Sequence, residues 1–161
     1  MPVLVRTLIF TVLVPGTVAV WIPYRLLPAG AEFSLRGYSF IGLLLIAVGA
    51  AVYLWCAAHF TFTGRGTPAP IDPPRVLVAK GPYRLVRNPM YIGVCLVFIG
   101  EAVVFGSLRL VRYALIVALL FHLVVILYEE PVLRKKFGPA YEEYCRSVPR
   151  WIPRLAPTNR A

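Results

Sequence analysis

From Tyr38 to about Ala58 the sequence carries no charged residue. A run of about 21 apolar residues is long enough to cross a bilayer core as a helix. Three more apolar runs accompany it: Thr7 to about Tyr24, Pro89 to about Phe105, and Leu110 to about Tyr128. Pro15-Gly16 is expected to kink the first, and the Pro89 run is short for a bilayer. Hydrophobic residues make up 59% of the 161 and charged ones 15%, with a mean hydropathy of +0.73. Soluble domains run at about 45–50% apolar. The expected fold class is therefore an all-α integral membrane protein: four transmembrane helices, over about 7–24, 38–58, 89–105 and 110–128, with a C-terminal amphipathic helical segment at the cytoplasmic surface. Gly42 and Gly49 share one face of the second span and suit close packing against another helix. No internal repeat or second domain is visible, so residues 1–161 read as one domain.

The net charge of +10 points to the membrane, because no nucleic-acid-binding motif accompanies it. Arg65, Arg75, Lys80, Arg84 and Arg87 lie in the large loop over 59–88, and seven more basic residues follow from Arg134 onward. Arg6 falls on the same side, against Arg25, Arg36, Arg109 and Arg112 on the other. The positive-inside bias then puts both termini and the 59–88 loop in the cytoplasm. Trp21 and Tyr24 mark the far interface of the first span, which lacks a cleavage site before them and reads as retained. Cys56, Cys95 and Cys145 have no spacing that suggests a disulfide framework or a metal site. Leu133, Phe137, Tyr141, Tyr144 and Val148 form one helical stripe, which Gly138-Pro139 should divide into two surface helices acting as a peripheral anchor.

Chemistry concentrates in Gly81-Pro82-Tyr83-Arg84-Leu85-Val86-Arg87-Asn88-Pro89-Met90-Tyr91. Each proline biases its predecessor away from helix, so Pro89 should open the third helix. Arg87, Asn88 and the backbone N–H groups of Met90 and Tyr91 would then sit at a helix N-terminus suited to a carboxylate. The plainer alternative is a loop whose arginines meet lipid phosphates. A second cluster lies on the fourth span: His122, then Tyr128-Glu129-Glu130-Pro131. His122 and Glu129 share a helical face about 10 Å apart. Plainer readings exist for these too: the two glutamates paired in water with Arg84 or Arg134, and a core histidine. Glu101 is expected to pair with Arg109 or Arg112. Together the clusters offer an anion site, carboxylates for hydroxyls or a cation, and tyrosines for a flat ring, which suits a zwitterionic, nucleoside-like cofactor. Catalytic triads, P-loops and dinucleotide fingerprints are absent.

The 81–93 motif resembles the isoprenylcysteine carboxyl methyltransferase family, which is related to the membrane phospholipid N-methyltransferases. Glu129-Glu130-Pro131-x-Leu133, Phe137-Gly138, Tyr141-x-x-Tyr144 and Val148-Pro149-Arg150-Trp151-Ile152-Pro153 extend the resemblance, which covers about residues 68–153. It implies S-adenosyl-L-methionine held at the cytoplasmic face by Arg75, Val76, Leu77, Val78, Tyr83, Asn88, Pro89, Met90, Tyr91 and Glu129, with Arg87 added by the anion-site argument. The acceptor would be a lipophilic small molecule or membrane lipid entering between helices, with His122 or Glu130 as catalytic base. Asn88 stands where many members have histidine, and Val125 stands where members acting on prenylcysteine have an arginine. The first departure removes a titrating group, and the second removes the carboxylate anchor. An NADPH-dependent membrane reductase and a non-catalytic membrane subunit are the alternatives.

Overall fold

The computed structural model describes residues 3–27, 37–62 and 76–153. Among these residues every regular element is helical. Three helices are long and apolar enough to cross a membrane: α1 (Val3–Leu26), α2 (Ser39–Phe62) and α4 (Leu108–Phe137). The shorter apolar α3 (Pro89–Phe105) lies between α2 and α4, and α5 (Pro139–Ser147) follows them.

The scaffold is the antiparallel pair α2–α3. A Cβ on Gly42 would lie 2.7 Å from the carbonyl oxygen of Gly100, and one on Gly100 would lie 2.6 Å from that of Gly42. Gly49 and Gly93 repeat this reciprocal contact further along. Without side chains at the crossing points, the backbones approach closely, which maximises van der Waals contact where lipid offers no hydrophobic drive. Gly42 and Gly49 are legible as a packing face, and Gly93 and Gly100 are its counterpart at the same spacing.

α1 and α4 pack around this pair through a core of Tyr53, Ala57, Val94, Phe98 and Val117. Polar groups here are matched pairwise, as an apolar solvent requires. Thr61 donates to the Ala57 carbonyl at 2.9 Å and shares a 3.0 Å hydrogen bond with Thr7. The Thr11 and Tyr53 hydroxyls lie 3.0 Å apart, and Tyr113 donates to the Val18 carbonyl at 2.7 Å.

Prolines shape two helices without ending them. After Pro15 the chain passes through a π-turn over Thr17–Trp21 and continues to Leu26. The fourth apolar segment does not stop near Tyr128. It passes through a second π-turn, Val125–Glu129, and runs on to Phe137. The wider turn absorbs the hydrogen bond that Pro131 cannot make. The helix ends instead at Gly138, whose φ of +53° favours glycine.

The stripe read as a peripheral anchor has a different partner. Tyr141, Tyr144 and Val148 are buried against Leu77, Ala79, Leu133 and Phe137 of the same chain. Tyr144 donates to the Tyr83 carbonyl at 2.7 Å. The two tyrosine rings and the valine thus pack against Leu77 and Ala79, so α5 holds the 76–84 segment in place.

Candidate functional site

Pro89 is the first residue of α3, and Asn88, in the cap position, makes no side-chain cap hydrogen bond. Instead, the Asn88 amide Nδ2 donates to the Arg150 carbonyl at 3.1 Å. The Arg87 backbone N–H donates to the Pro149 carbonyl at 2.8 Å. The 148–153 segment is thus strapped across the N-terminus of α3.

At the centre of this corner is Glu130, 2% exposed. Arg150 grips it with two bonds, Nε to Oε1 at 2.6 Å and Nη2 to Oε2 at 3.0 Å. Arg87 Nη1 donates to Oε1 at 3.0 Å, and Arg134 lies 3.4 Å from Oε2. A two-pronged guanidinium–carboxylate pair is among the stronger charge-assisted contacts. Hydrogen bonding to Glu130 raises Arg150 above the ordinary guanidinium range. Arg87 Nη1 also donates to Cys145 Sγ at 2.8 Å. The Nε of Arg87 is buried and has no hydrogen-bond partner.

Glu129, one residue earlier, is half-buried and faces α3, where the Tyr91 hydroxyl donates to its Oε1. The Tyr91 ring lies 4.5 Å from that of Phe121 and 6.5 Å from that of Trp151. Trp151 in turn donates its indole N–H to His122 Nδ1 at 3.0 Å.

Two expected roles change. Glu130 as a base has both oxygens engaged by guanidinium groups, so it joins the corner together instead of waiting for a proton. His122 as a base is also occupied: its Nδ1 lone pair accepts from an indole that can only donate. The glutamates do not both sit in water, and exposed Arg84 takes no part in the corner's ion pairs. Among the described residues no ion pair joins Glu101 to Arg109 or Arg112.

The remaining expected cofactor contacts divide. Arg87, Asn88, Pro89, Tyr91 and Glu129 meet at the corner, while the Met90 side chain packs towards Tyr53, Cys56 and Tyr83. Tyr83 and Val78 are buried with Cys56, and Tyr83 packs edge-on against Phe60. Burial pushes the Tyr83 hydroxyl well above its ordinary range. Leu77 packs against α5, while Val76 is exposed. Arg75 lies outside the described residues. Sequence reading missed the part played by Pro149, Arg150 and Trp151. Their signal was the dense Val148–Pro153 motif, whose arginine and tryptophan are costly residues to place beside an apolar helix unless they have partners.

Comparison with known proteins bears on the same residues. The phospholipid methyltransferase family model matches residues 38–140. The cobalt-zinc-cadmium resistance protein CzcN of Cupriavidus metallidurans is 29% identical over 116 residues, 72% of this chain and 49% of that protein. The nickel-cobalt-cadmium resistance protein NccN of Alcaligenes xylosoxydans is 28% identical over 116 residues, 72% of this chain and 50% of that protein. A probable protein-S-isoprenylcysteine O-methyltransferase of Oryza sativa is 30% identical over 120 residues, 71% of this chain and 61% of that protein. The chain thus spans about half the length of the two metal-resistance relatives. No solved structure matches significantly. The rice relatives agree with the resemblance carried by the 81–93 and 129–153 motifs. Because the family match covers more than half of the sequence and runs through the α3 corner and the acidic turn of α4, the chain belongs to the phospholipid methyltransferase family.

Proposed function

We propose that this chain is an S-adenosyl-L-methionine-dependent methyltransferase acting on a lipophilic or membrane-embedded acceptor. One observation carries the reading. A buried arginine nitrogen without a partner, Arg87 Nε, lies next to a helix N-terminus that no side chain caps. A buried N–H donor left unpaired costs about 1–3 kcal/mol, and a bound carboxylate at this corner would satisfy it.

The donor set suits the cofactor. Arg87 and the first N–H groups of α3 would hold the carboxylate of its methionine moiety. Glu129, with one oxygen engaged by Tyr91, has a second oxygen for an amino group or ribose hydroxyl. When bound, the cofactor supplies an electrophilic methyl group on a sulfonium. The chain's part is to position donor and acceptor in line and to exclude water. The 148–153 strap serves both ends by closing over the α3 N-terminus while Trp151 reaches His122.

In this reading α1, α2, α3 and α4 all cross the membrane, α3 being the short one. Both termini and the 59–88 loop face the cytoplasm, and α5 lies at that surface. Isothermal calorimetry of the purified chain with S-adenosyl-L-methionine tests the assignment. Binding should be measurable for the wild type and lost in Glu129→Ala. Equal binding by both would remove the site. Retention of NADPH on purification would replace the methyl-transfer reading with a reductase.

A further inference from the structure

Arg150 and Trp151 are neighbours in the chain, yet their side chains are held at two different heights on α4. The Arg150 guanidinium grips Glu130, with Nε 2.6 Å from Oε1. The Trp151 indole N–H donates to His122 Nδ1 at 3.0 Å. His122 and Glu130 are eight residues apart in the sequence, which is about 12 Å along a helix. The strap backbone therefore runs between these levels, beside the part of α4 that precedes its acidic turn. From Tyr113 to Tyr128 that helix carries no Asp, Glu, Lys or Arg, and its Leu120, Leu123 and Leu127 are exposed. The residue after Trp151 is apolar too: Ile152 is 81% exposed.

Non-helical backbone persists at membrane depth only where protein or a water-filled cavity satisfies its polar groups. The strap is built to lower that demand. Pro149 and Pro153 bring no N–H. The Pro149 carbonyl accepts from the Arg87 backbone N–H at 2.8 Å, and the Arg150 carbonyl accepts from the Asn88 amide at 3.1 Å. Arg150 reaches back to Glu130, as a long basic side chain does when its stem lies against an apolar layer. Trp151 places its ring in the apolar cavity with Ile92, Leu96 and Phe121 and its N–H on His122.

We propose that the 148–153 strap is seated in the membrane, with its Ile152 tip covered by the acyl chains of the leaflet at the α3 N-terminus. Its partner is the bilayer, a contact that the inward-facing stripe of α5 does not supply. The exposed apolar surface of α4 continues onto the strap through Trp151. One short segment then links lipid to the polar corner: Ile152 lies among acyl chains, Trp151 on His122, Arg150 on Glu130, and Pro149 on Arg87. The inference rests on α4 crossing the bilayer and is independent of methyl transfer.

The test uses the full chain in phosphatidylcholine vesicles, with Trp21→Phe and Trp55→Phe so that Trp151 is the one tryptophan left. Both replaced rings are exposed. Phosphatidylcholine brominated on its acyl chains quenches a tryptophan beside those chains, and aqueous iodide quenches one that faces water. Trp151 should be quenched by the brominated lipid and hardly by iodide. Ile152→Asp, whose short charged side chain cannot reach water from that depth, should lower the lipid quenching about twofold or more and raise that by iodide. Ile152→Leu should change neither. Leu120→Trp, with Trp151→Phe, reports on α4 itself. Iodide quenching of Trp151 while this reference stays lipid-quenched would overturn the proposal and place the strap in water. Iodide quenching of both would overturn it together with the span on which it rests. Lipid quenching unchanged in Ile152→Asp, folded by circular dichroism, would also overturn it. No step uses S-adenosyl-L-methionine, so failure of cofactor binding would strike the proposed function alone.

Discussion

The α2–α3 seam and the polar corner, which ties the start of α3 to α4 and the C-terminal strap, hold the molecule together by opposite means. The seam works through what is missing: four glycines let two backbones meet, and their interaction is short-ranged packing. The corner works through what is present. Glu130 is surrounded by arginines from the loop before α3, from its own helix and from the C-terminal strap. Packing in the seam tolerates nothing added, whereas the corner tolerates nothing removed. A buried carboxylate among guanidiniums is stable only while the whole set is intact. That difference suits the corner, and not the seam, to the proposed binding site. Among the described residues the one buried side-chain donor left over, Arg87 Nε, is at the corner.

Substitutions can test this contrast in order of expected effect. Gly93→Leu should be the most damaging, because a Cβ there already meets the Gly49 carbonyl 2.8 Å away and a backbone oxygen cannot swing aside. Little folded protein should be recovered by size-exclusion chromatography in detergent, and a normal elution profile would show that the seam is looser than described. Glu130→Gln should follow, costing about 3–5 kcal/mol by leaving buried guanidinium charge unpaired. Thermal unfolding of purified protein would measure it, and an unchanged melting temperature would reduce the ion-pair hub to decoration. Tyr91→Phe removes one hydroxyl from Glu129 and should cost about 0.5–1.5 kcal/mol of stability, with a comparable change in S-adenosyl-L-methionine affinity by calorimetry. Arg146→Ala removes a pair with Glu143 in which both side chains are about three-quarters exposed. Such pairs contribute about 0–1 kcal/mol, so melting temperature and cofactor affinity should both stay close to wild type.

Much of the scaffold was legible before any coordinates. Charge-free runs and their lengths mark helices that lipid can surround, and the Gly42–Gly49 spacing marks a packing face. Pro89 as the start of α3 follows from ring geometry alone. The end of α4 was not legible, since a proline after two glutamates reads as a stop unless a π-turn precedes it. Nor was the inward face of the α5 stripe, because an amphipathic helix looks the same whether its apolar side meets lipid or protein. The corner was half visible. Arg87, Asn88, Tyr91 and Glu129 stood out as polar residues at an apolar boundary, but their partners could not be assigned.

By itself the sequence determined that this chain is helical, with apolar runs long enough to cross a membrane, and that its polar chemistry gathers where α3 begins and α4 turns acidic. Hydrophobicity and backbone sterics act over a few neighbouring residues, so local pattern is enough to express them. Only the tertiary structure decided that Glu130 is a structural hub while Glu129 faces Tyr91, and that a tryptophan from the C-terminal strap donates to His122. Hydrogen bonds act over about 3 Å between groups that can be far apart in the chain, and which pairs form depends on how the helices have already packed.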